Sequence, residues 1–467
     1  MKKNVDVAII GGGPAAIYAA YEFVLKYPQV KVLILEEGHA IDFRSCPIIA
    51  GKVEKCIRCV PCSIMRGFGG AGAFSDGKYN FTTEFGGWLS EYIPKKTVME
   101  LIDYVDEINC KHGAPGTVYS TKNCKIGRLA LGHDLHLLNA KVRHLGTDNN
   151  RNLMASIYHY LLEHGIEIQC DTQVETISQS KEGYELTIKG SEQVIGCTYL
   201  IGAPGRAGAE WFSTQCQNLG LPMANNQVDV GVRVEVPYSV FQDITEEVYE
   251  AKLVYRTKRY GDRVRTFCMN PNGYVVAENT DGIVTVNGHS FSDPAKNSGN
   301  TNFALLVSNK FTEPFKEPHK YGKHIASLSN MLGGGVLAQR FGDLIKGRRT
   351  NAHRLSQSFL HPTLNAVPGD LSLVLPKRHL DNIIEMIYAL DKVAPGTAND
   401  DTLLYGVEVK FYSSRLDLSD KLETKMPNFF AIGDGAGITR GLSQASASGV
   451  YVARIIGERM KAQLANR

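Results

Sequence analysis

The chain has 467 residues, with 51 basic and 48 acidic side chains for a formal charge of +3, and hydrophobic and charged fractions of 43% and 21%. That length calls for two or three domains, each able to bury a core without disulfides or a structural metal. The near-neutral balance gives no bulk attraction to nucleic acid or to an anionic membrane, and no run of about 18 or more apolar residues is present to span a bilayer. Residues 5–10 are too short for a signal-peptide core, so the expectation is a cytoplasmic protein with neither nucleic acid nor membrane as partner.

Residues 5–10 read as a buried strand, 11–16 as a turn, 17–26 as a helix and 31–35 as a second buried strand ending at Glu36. Residues 42–87 are rich in Cys, Gly and Pro and read as an irregular excursion. Helices are expected at 97–112 and 152–164, with a strand at 167–170. A hairpin joins 174–180 to 184–189 through Lys181, Glu182 and Gly183. Residues 199–203 form a short apolar strand with a glycine turn behind it. Sheet-like segments follow at 228–236, 264–269, 274–276 and 283–287. Helices are expected at 325–331 and 380–393. The chain closes with a strand at 429–432, a glycine turn and a helix at 443–464. These elements group into a first domain over 1–220, a second over 221–395 and a return to the first over 396–467.

The opening turn, Gly11-Gly12-Gly13-Pro14-Ala15-Ala16, fits Gly-x-Gly-x-x-Gly/Ala with Gly11, Gly13 and Ala16 at the three positions. The first glycine makes the tight turn, the second admits a pyrophosphate close to the backbone, and the third small residue lets helix and strand pack. The helix start behind them stabilises phosphate charge. Glu36 closes the second strand, where it can accept from ribose hydroxyls. The fingerprint has its strand, helix and acid in place and points to a dinucleotide, without separating FAD from NAD. A second glycine-dense loop, 67–78, frees backbone N–H groups of the kind that form anion-binding nests. Gly69, Gly70, Ala71, Phe74, Ser75, Asp76 and Gly77 are its candidate contacts.

Two later segments and the whole chain carry a family resemblance. Phe429-Phe430-Ala431-Ile432-Gly433-Asp434-Gly435-Ala436-Gly437 resembles the strand and Gly-Asp segment of two-domain FAD flavoproteins. In those families the aspartate accepts from a ribityl hydroxyl. Gly205, in the turn after 199–203, resembles their return to the FAD domain, and Gly441 and Leu442 continue the terminal motif. The loop 67–78, Arg143-His144-Leu145-Gly146-Thr147-Asp148, the segment 406–415 and residues 433–449 together resemble a family of bacterial and archaeal FAD-dependent dehydrogenases. The resemblance implies an α/β fold: a Rossmann-like FAD-binding domain of the glutathione-reductase type with an inserted sheet-rich α+β second domain. It implies FAD as cofactor and does not imply a substrate. The third segment departs from the family's usual arginine and Ser-Ser-Pro: Lys410, Phe411 and Tyr412 intervene, and no proline follows Ser414.

Cys56, Cys59 and Cys62 form a Cys-x-x-Cys-x-x-Cys run with Cys46 upstream. An iron–sulfur site, a redox thiol pair, and a structural zinc or inert thiols all fit that spacing. Flavin chemistry needs a proton donor or acceptor, and His144 is the leading candidate, ahead of His133, His136, Tyr119 and His361. Lys346, Arg348, Arg349 and Arg354 read as a solvated basic face, or as the seat of an acidic substrate. No second Gly-x-Gly-x-x-Gly follows the first, so a reductant such as NAD(P)H or a protein donor would bind transiently. The expected activity is a dehydrogenase or reductase passing hydride or electrons between a small organic substrate and the flavin. A flavin monooxygenase and a redox sensor or electron-transfer protein without turnover are the rivals.

Overall fold

A computed structural model describes residues 2–465 apart from 54–56, 58, 140, 225–226, 249, 281, 292, 310, 312–314, 316–317 and 411–414. The chain forms two compact units, one of Met1–Thr117, Val142–Asn226 and Ser413–Arg467, the other of Val118–Lys141 and Gln227–Tyr412. Two segments therefore lie in a different unit from the one expected. Residues 118–141 supply the edge strand Leu135–Leu137 to the second unit's sheet, and 396–412 contain one of its inner strands, Leu403–Lys410.

In the first unit the strand Lys2–Ile10 runs parallel to Val32–Leu35 on one side and to Val194–Gly202 on the other. Val32–Leu35 pairs in parallel with Glu167–Gln169, and Val194–Gly202 with Phe429–Ala431. This is the parallel sheet of a dinucleotide-binding fold, extended by the antiparallel strands Gly183–Ile188 and Val174–Ser180. Val7, Ala8 and Ile9 are fully buried, and Val32–Leu35 is buried at every position, as strands covered on both faces must be. The helices Pro14–Lys26 and Leu442–Ala465 pack against each other in the same core. Their backbones meet at Gly449, where a Cβ would stand 2.0 Å from the Ala15 carbonyl oxygen. The helix expected from Asn152 begins at Thr147, because Gly146 (φ 81°) turns the chain after the strand Lys141–His144.

The second unit is an eight-stranded sheet. Its order is Val367–Pro368, Leu337–Arg340, Leu403–Lys410, Val228–Pro237, Asn300–Asn309, Arg263–Asn270, Leu253–Arg256 and Leu135–Leu137. Only the first pair is parallel among these ladders. Side chains alternate across a strand. Val230, Val232, Val234 and Val236 accordingly enter an apolar core shared with the helices Tyr238–Val248 and Lys377–Asp391. Asp229, Arg233 and Glu235 occupy the alternate positions and are also fully buried. The hairpin of Tyr274–Thr280 and Ile283–His289 lies over that polar side, with Gly288 against Arg233. No helix among the described residues is long and apolar enough to cross a membrane.

Candidate functional site

The fingerprint turn is built by the parallel strand and the helix that follows it. Gly11 has φ 101°, and a Cβ there would lie 2.2 Å from the Ala203 carbonyl oxygen, so the first glycine is required by the neighbouring strand. Gly13 is the N-cap of the helix Pro14–Lys26, with Pro14 at its first position and no side chain capping the first turn. Ala15 and Ala16 are buried behind it. The helix therefore presents its first backbone N–H groups without a protein side-chain cap, the arrangement that suits a phosphate.

The glycine-dense loop comes to the same place. Gly69 N–H donates to the Gly12 carbonyl at 2.8 Å. A Cβ on Gly70 (φ 57°) would sit 3.1 Å from the Gly13 Cα, and one on Gly72 would meet Leu442 and Pro14. Ala71 and Phe74 bound a single 3₁₀ turn. The polar groups that follow are engaged within the unit. Ser75 Oγ donates to the Gly72 carbonyl at 2.7 Å, and Asp76 forms a buried ion pair with Lys78 at 2.8 Å. Gly77 is packed against Asn150 and Leu145.

Glu36 ties these segments together. Its carboxylate accepts from Gly12 N–H at 2.6 Å, from Gly67 N–H at 2.7 Å and from Gly38 N–H at 2.9 Å. The acid expected to meet a ribose is thus also the anchor between the fingerprint turn and the second loop. Arg44 holds that loop from its other side. This fully buried guanidinium donates to the carbonyls of Ser63, Ile64, Phe68 and Gly70 at 2.7–2.9 Å, and to Gly67 at 3.4 Å. It also lies 4.7 Å from the centroid of the Phe74 ring. Burial pushes its pKa down to about 10. Sequence reasoning missed Arg44, which stands in the excursion without a motif around it.

The C-terminal turn completes the group. Gly433 has φ 73°, with its would-be Cβ 3.0 Å from Ala15, and Gly435 is pressed against Pro204 and Gly205. Asp434 accepts from Thr439 Oγ at 2.7 Å and lies 3.9 Å from the Arg206 guanidinium, its side chain 22% exposed. Ala436 is buried and Gly437 is left-handed. Gln444, a second residue the sequence did not single out, donates to the carbonyls of Thr82 and Phe85 and so fixes the 82–89 segment on this turn. Three glycines of this site have room that no atom of the described residues fills. A Cβ on Gly205 would meet nothing within 4 Å, on Gly13 only Gly70 at 4.0 Å, and on Gly441 only Gly86 at 3.9 Å. The buried hydroxyls of Ser443 and Ser446 have no hydrogen-bond partner among the described residues. An uncapped helix start, open glycines and unused buried hydroxyls fit a phosphate-bearing, hydroxyl-rich cofactor.

His144 is half-buried at the end of its strand. The next two residues, Leu145 and Gly146, donate to the carbonyls of Gly77 and Asp76, so His144 adjoins the far end of the loop. Cys46, Cys59 and Cys62 are free, half-buried thiols, and Cys56 lies outside the described residues. Among the described residues no group of three or more His, Cys, Asp or Glu could hold a metal ion. Phe411–Ser414 of the family segment also lie outside the described residues. The basic cluster of the second unit is a largely solvated face, as expected, with Lys346, Arg348 and Arg349 exposed, and its ion pairs run to nearby acids. Arg340, Arg348 and Arg354 converge on the fully buried Asp343, and Lys346 pairs with Asp400.

Residues 227–411 match the family model described as FAD-dependent protein, C-terminal domain-like. An uncharacterised protein of Clostridium beijerinckii is 27% identical over 473 aligned residues, covering 97% of this chain and 80% of its own. Among solved structures, a flavoprotein/dehydrogenase from Cytophaga hutchinsonii is similar at 13% identity and a TM-score of 0.42, over 98% of this chain and 79% of that one. Glycine oxidase from Geobacillus kaustophilus is similar at 12% identity and 0.40, over 98% and 95%. Residues 227–411 are thus similar to the C-terminal domain of FAD-dependent proteins.

Proposed function

We propose that the first unit binds FAD where the turn at Gly11–Ala16, the loop at Gly69–Phe74 and the turn at Gly433–Leu442 meet, and that the protein is an FAD-dependent oxidoreductase acting on a small organic substrate. The observation that carries this reading is the convergence of three sequence-distant glycine segments on one uncapped helix start. Bound there, FAD supplies two-electron chemistry at its flavin ring. The residues hold it. N–H groups at the start of the first helix take the pyrophosphate, and Glu36, which keeps acceptor capacity on the oxygen facing Gly12, takes a ribose hydroxyl. Asp434 accepts from the ribityl chain while Thr439 fixes its carboxylate. His144, at the end of the Gly69–Gly77 loop, is the group proposed to hold or move the proton.

Purified protein should carry flavin absorbance and release FAD on denaturation. Asp434→Ala removes one charge-assisted acceptor and should weaken FAD by about ten- to a hundredfold. A colourless chain that takes up no FAD on titration overturns the reading.

A further inference from the structure

The polar side of the second unit's sheet holds a cluster that the flavin reading does not use. Lys252, Arg265 and Lys410 all surround one aromatic ring, that of Phe267, with their charged groups 4.8, 4.7 and 5.9 Å from its centroid. Their side chains keep only 8, 11 and 8% of their accessible surface, whereas Phe267 itself is half-buried. Each cation has a carboxylate: Lys252 pairs with Glu250 at 2.8 Å, Arg265 with Asp229 at 2.6 Å and Lys410 with Glu408 at 2.8 Å. Glu408 also serves Arg233, at 3.4 Å, so among these residues four cations share three carboxylates. Arg233 is fixed further by Asn302 and by the Cys268 carbonyl, and Lys410 reaches Asn287 at 3.4 Å. The nearby Glu235 is taken up by Tyr405, Thr363 and Asn300.

Stability does not explain this arrangement. Buried ion pairs roughly break even against apolar residues of the same volume, and the opposite side of the same strands is an ordinary valine core. What the cluster provides is a preorganised set of donors beside a partly open ring. Two ammonium groups and a guanidinium present charge-assisted hydrogen bonds to an anion, and the ring offers an apolar surface to the body that carries it.

We propose that the Lys252, Arg265, Lys410 and Phe267 cluster binds a small organic carboxylate, the acid group among the three cations and the apolar body on the ring. That such an acid is the molecule oxidised or reduced rests on the flavin reading above; that it binds at Phe267 does not. Calorimetric titration of the full chain with benzoate and with its neutral amide, benzamide, tests it. Benzoate binds at one site and about tenfold or more tighter than benzamide. Lys252→Met and Lys410→Met each weaken benzoate by a similar factor and leave the flavin absorbance unchanged. Phe267→Leu leaves every ion pair standing and weakens benzoate too, which keeps the test decisive if a lysine variant fails to fold. Benzoate binding no tighter than benzamide, or variants that titrate like the parent, overturn the proposal. A colourless chain that still discriminates benzoate in this way supports the acid site and overturns only the flavin reading.

Discussion

Replacing Arg44 by methionine keeps an unbranched apolar stem and removes the guanidinium from the loop it organises. Four carbonyls at 2.7–2.9 Å lose a buried donor at once, those of Ser63, Ile64, Phe68 and Gly70. Hydrogen bonds to a charged group contribute about 1.5–3 kcal/mol each, and they do not add. Against that gain stands the desolvation of the guanidinium, seen in its pKa pushed down to about 10. Breaking a buried network of this kind by removing one partner costs about 3–5 kcal/mol. The loss falls on the segment that meets Gly12, Gly13 and Pro14, so it is felt as disorder of the proposed cofactor cradle before it is felt by the core. A share of ~3 kcal/mol on that equilibrium weakens FAD by roughly a hundredfold. The assay is titration of apoprotein with FAD by quenching of flavin fluorescence, beside circular dichroism to confirm that the sheet is intact. Arg44→Lys should restore little, because an ammonium cannot reproduce the planar fork. A methionine variant that binds FAD within about threefold of the parent, well below the ~3 kcal/mol expected, refutes the reasoning.

Gly449→Val should lower the melting temperature of the first unit by more than ~5 °C, since its Cβ would stand 2.0 Å from the Ala15 carbonyl oxygen and neither helix backbone can yield; an unchanged melt would show that the helices slide apart at little cost. Gly288→Ala places a Cβ 2.1 Å from both Arg233 Nη2 and Asn302 Oδ1, and should destabilise the second unit by about 1–3 kcal/mol while FAD content stays at the parent level. His379 is buried with neither ring nitrogen hydrogen-bonded among the described residues, and burial lowers its pKa to about 4. Its unfolded form, with the usual value near 6.5, therefore binds the proton first as pH falls. Stability is complete above about pH 6.5 and declines by ~3 kcal/mol as pH falls towards 4, with about 0.9 proton taken up on unfolding at pH 5. His379→Gln should flatten that slope, and parallel pH profiles for the two proteins would remove His379 as the cause.

The first unit was largely legible because its signals are local. The Gly11–Ala16 turn, the strand before it and the helix after it are contiguous, and Asp434 sits in a motif that can be read without its neighbours. The second unit was harder. Asn300–Asn309 and Leu403–Lys410 are inner strands buried on both sides, so they show no alternation, and one of them carries Glu408 and Lys410 where a core strand would be expected to be apolar. Arg44, Lys252 and Arg265 left no trace either, and Lys410 stood out only as a departure from the family segment. Their meaning lies in carbonyls and rings that come from strands and loops far away in the chain, and spacing along the sequence does not encode such partners.

The first unit's sheet is closed by Phe429–Ala431, and its first helix is covered by Leu442–Ala465. The apolar face of Ala15, Ala16, Ala19 and Ala20 therefore stays uncovered until Leu442–Ala465, more than 400 residues later, has been made. The second unit, Val118–Lys141 with Gln227–Tyr412, has been synthesised by then. On a ribosome the first unit therefore closes only after Leu442–Ala465 has emerged, and the proposed cofactor cradle, which needs Gly11–Ala16 and Gly433–Leu442 together, forms after the residues between them have been made.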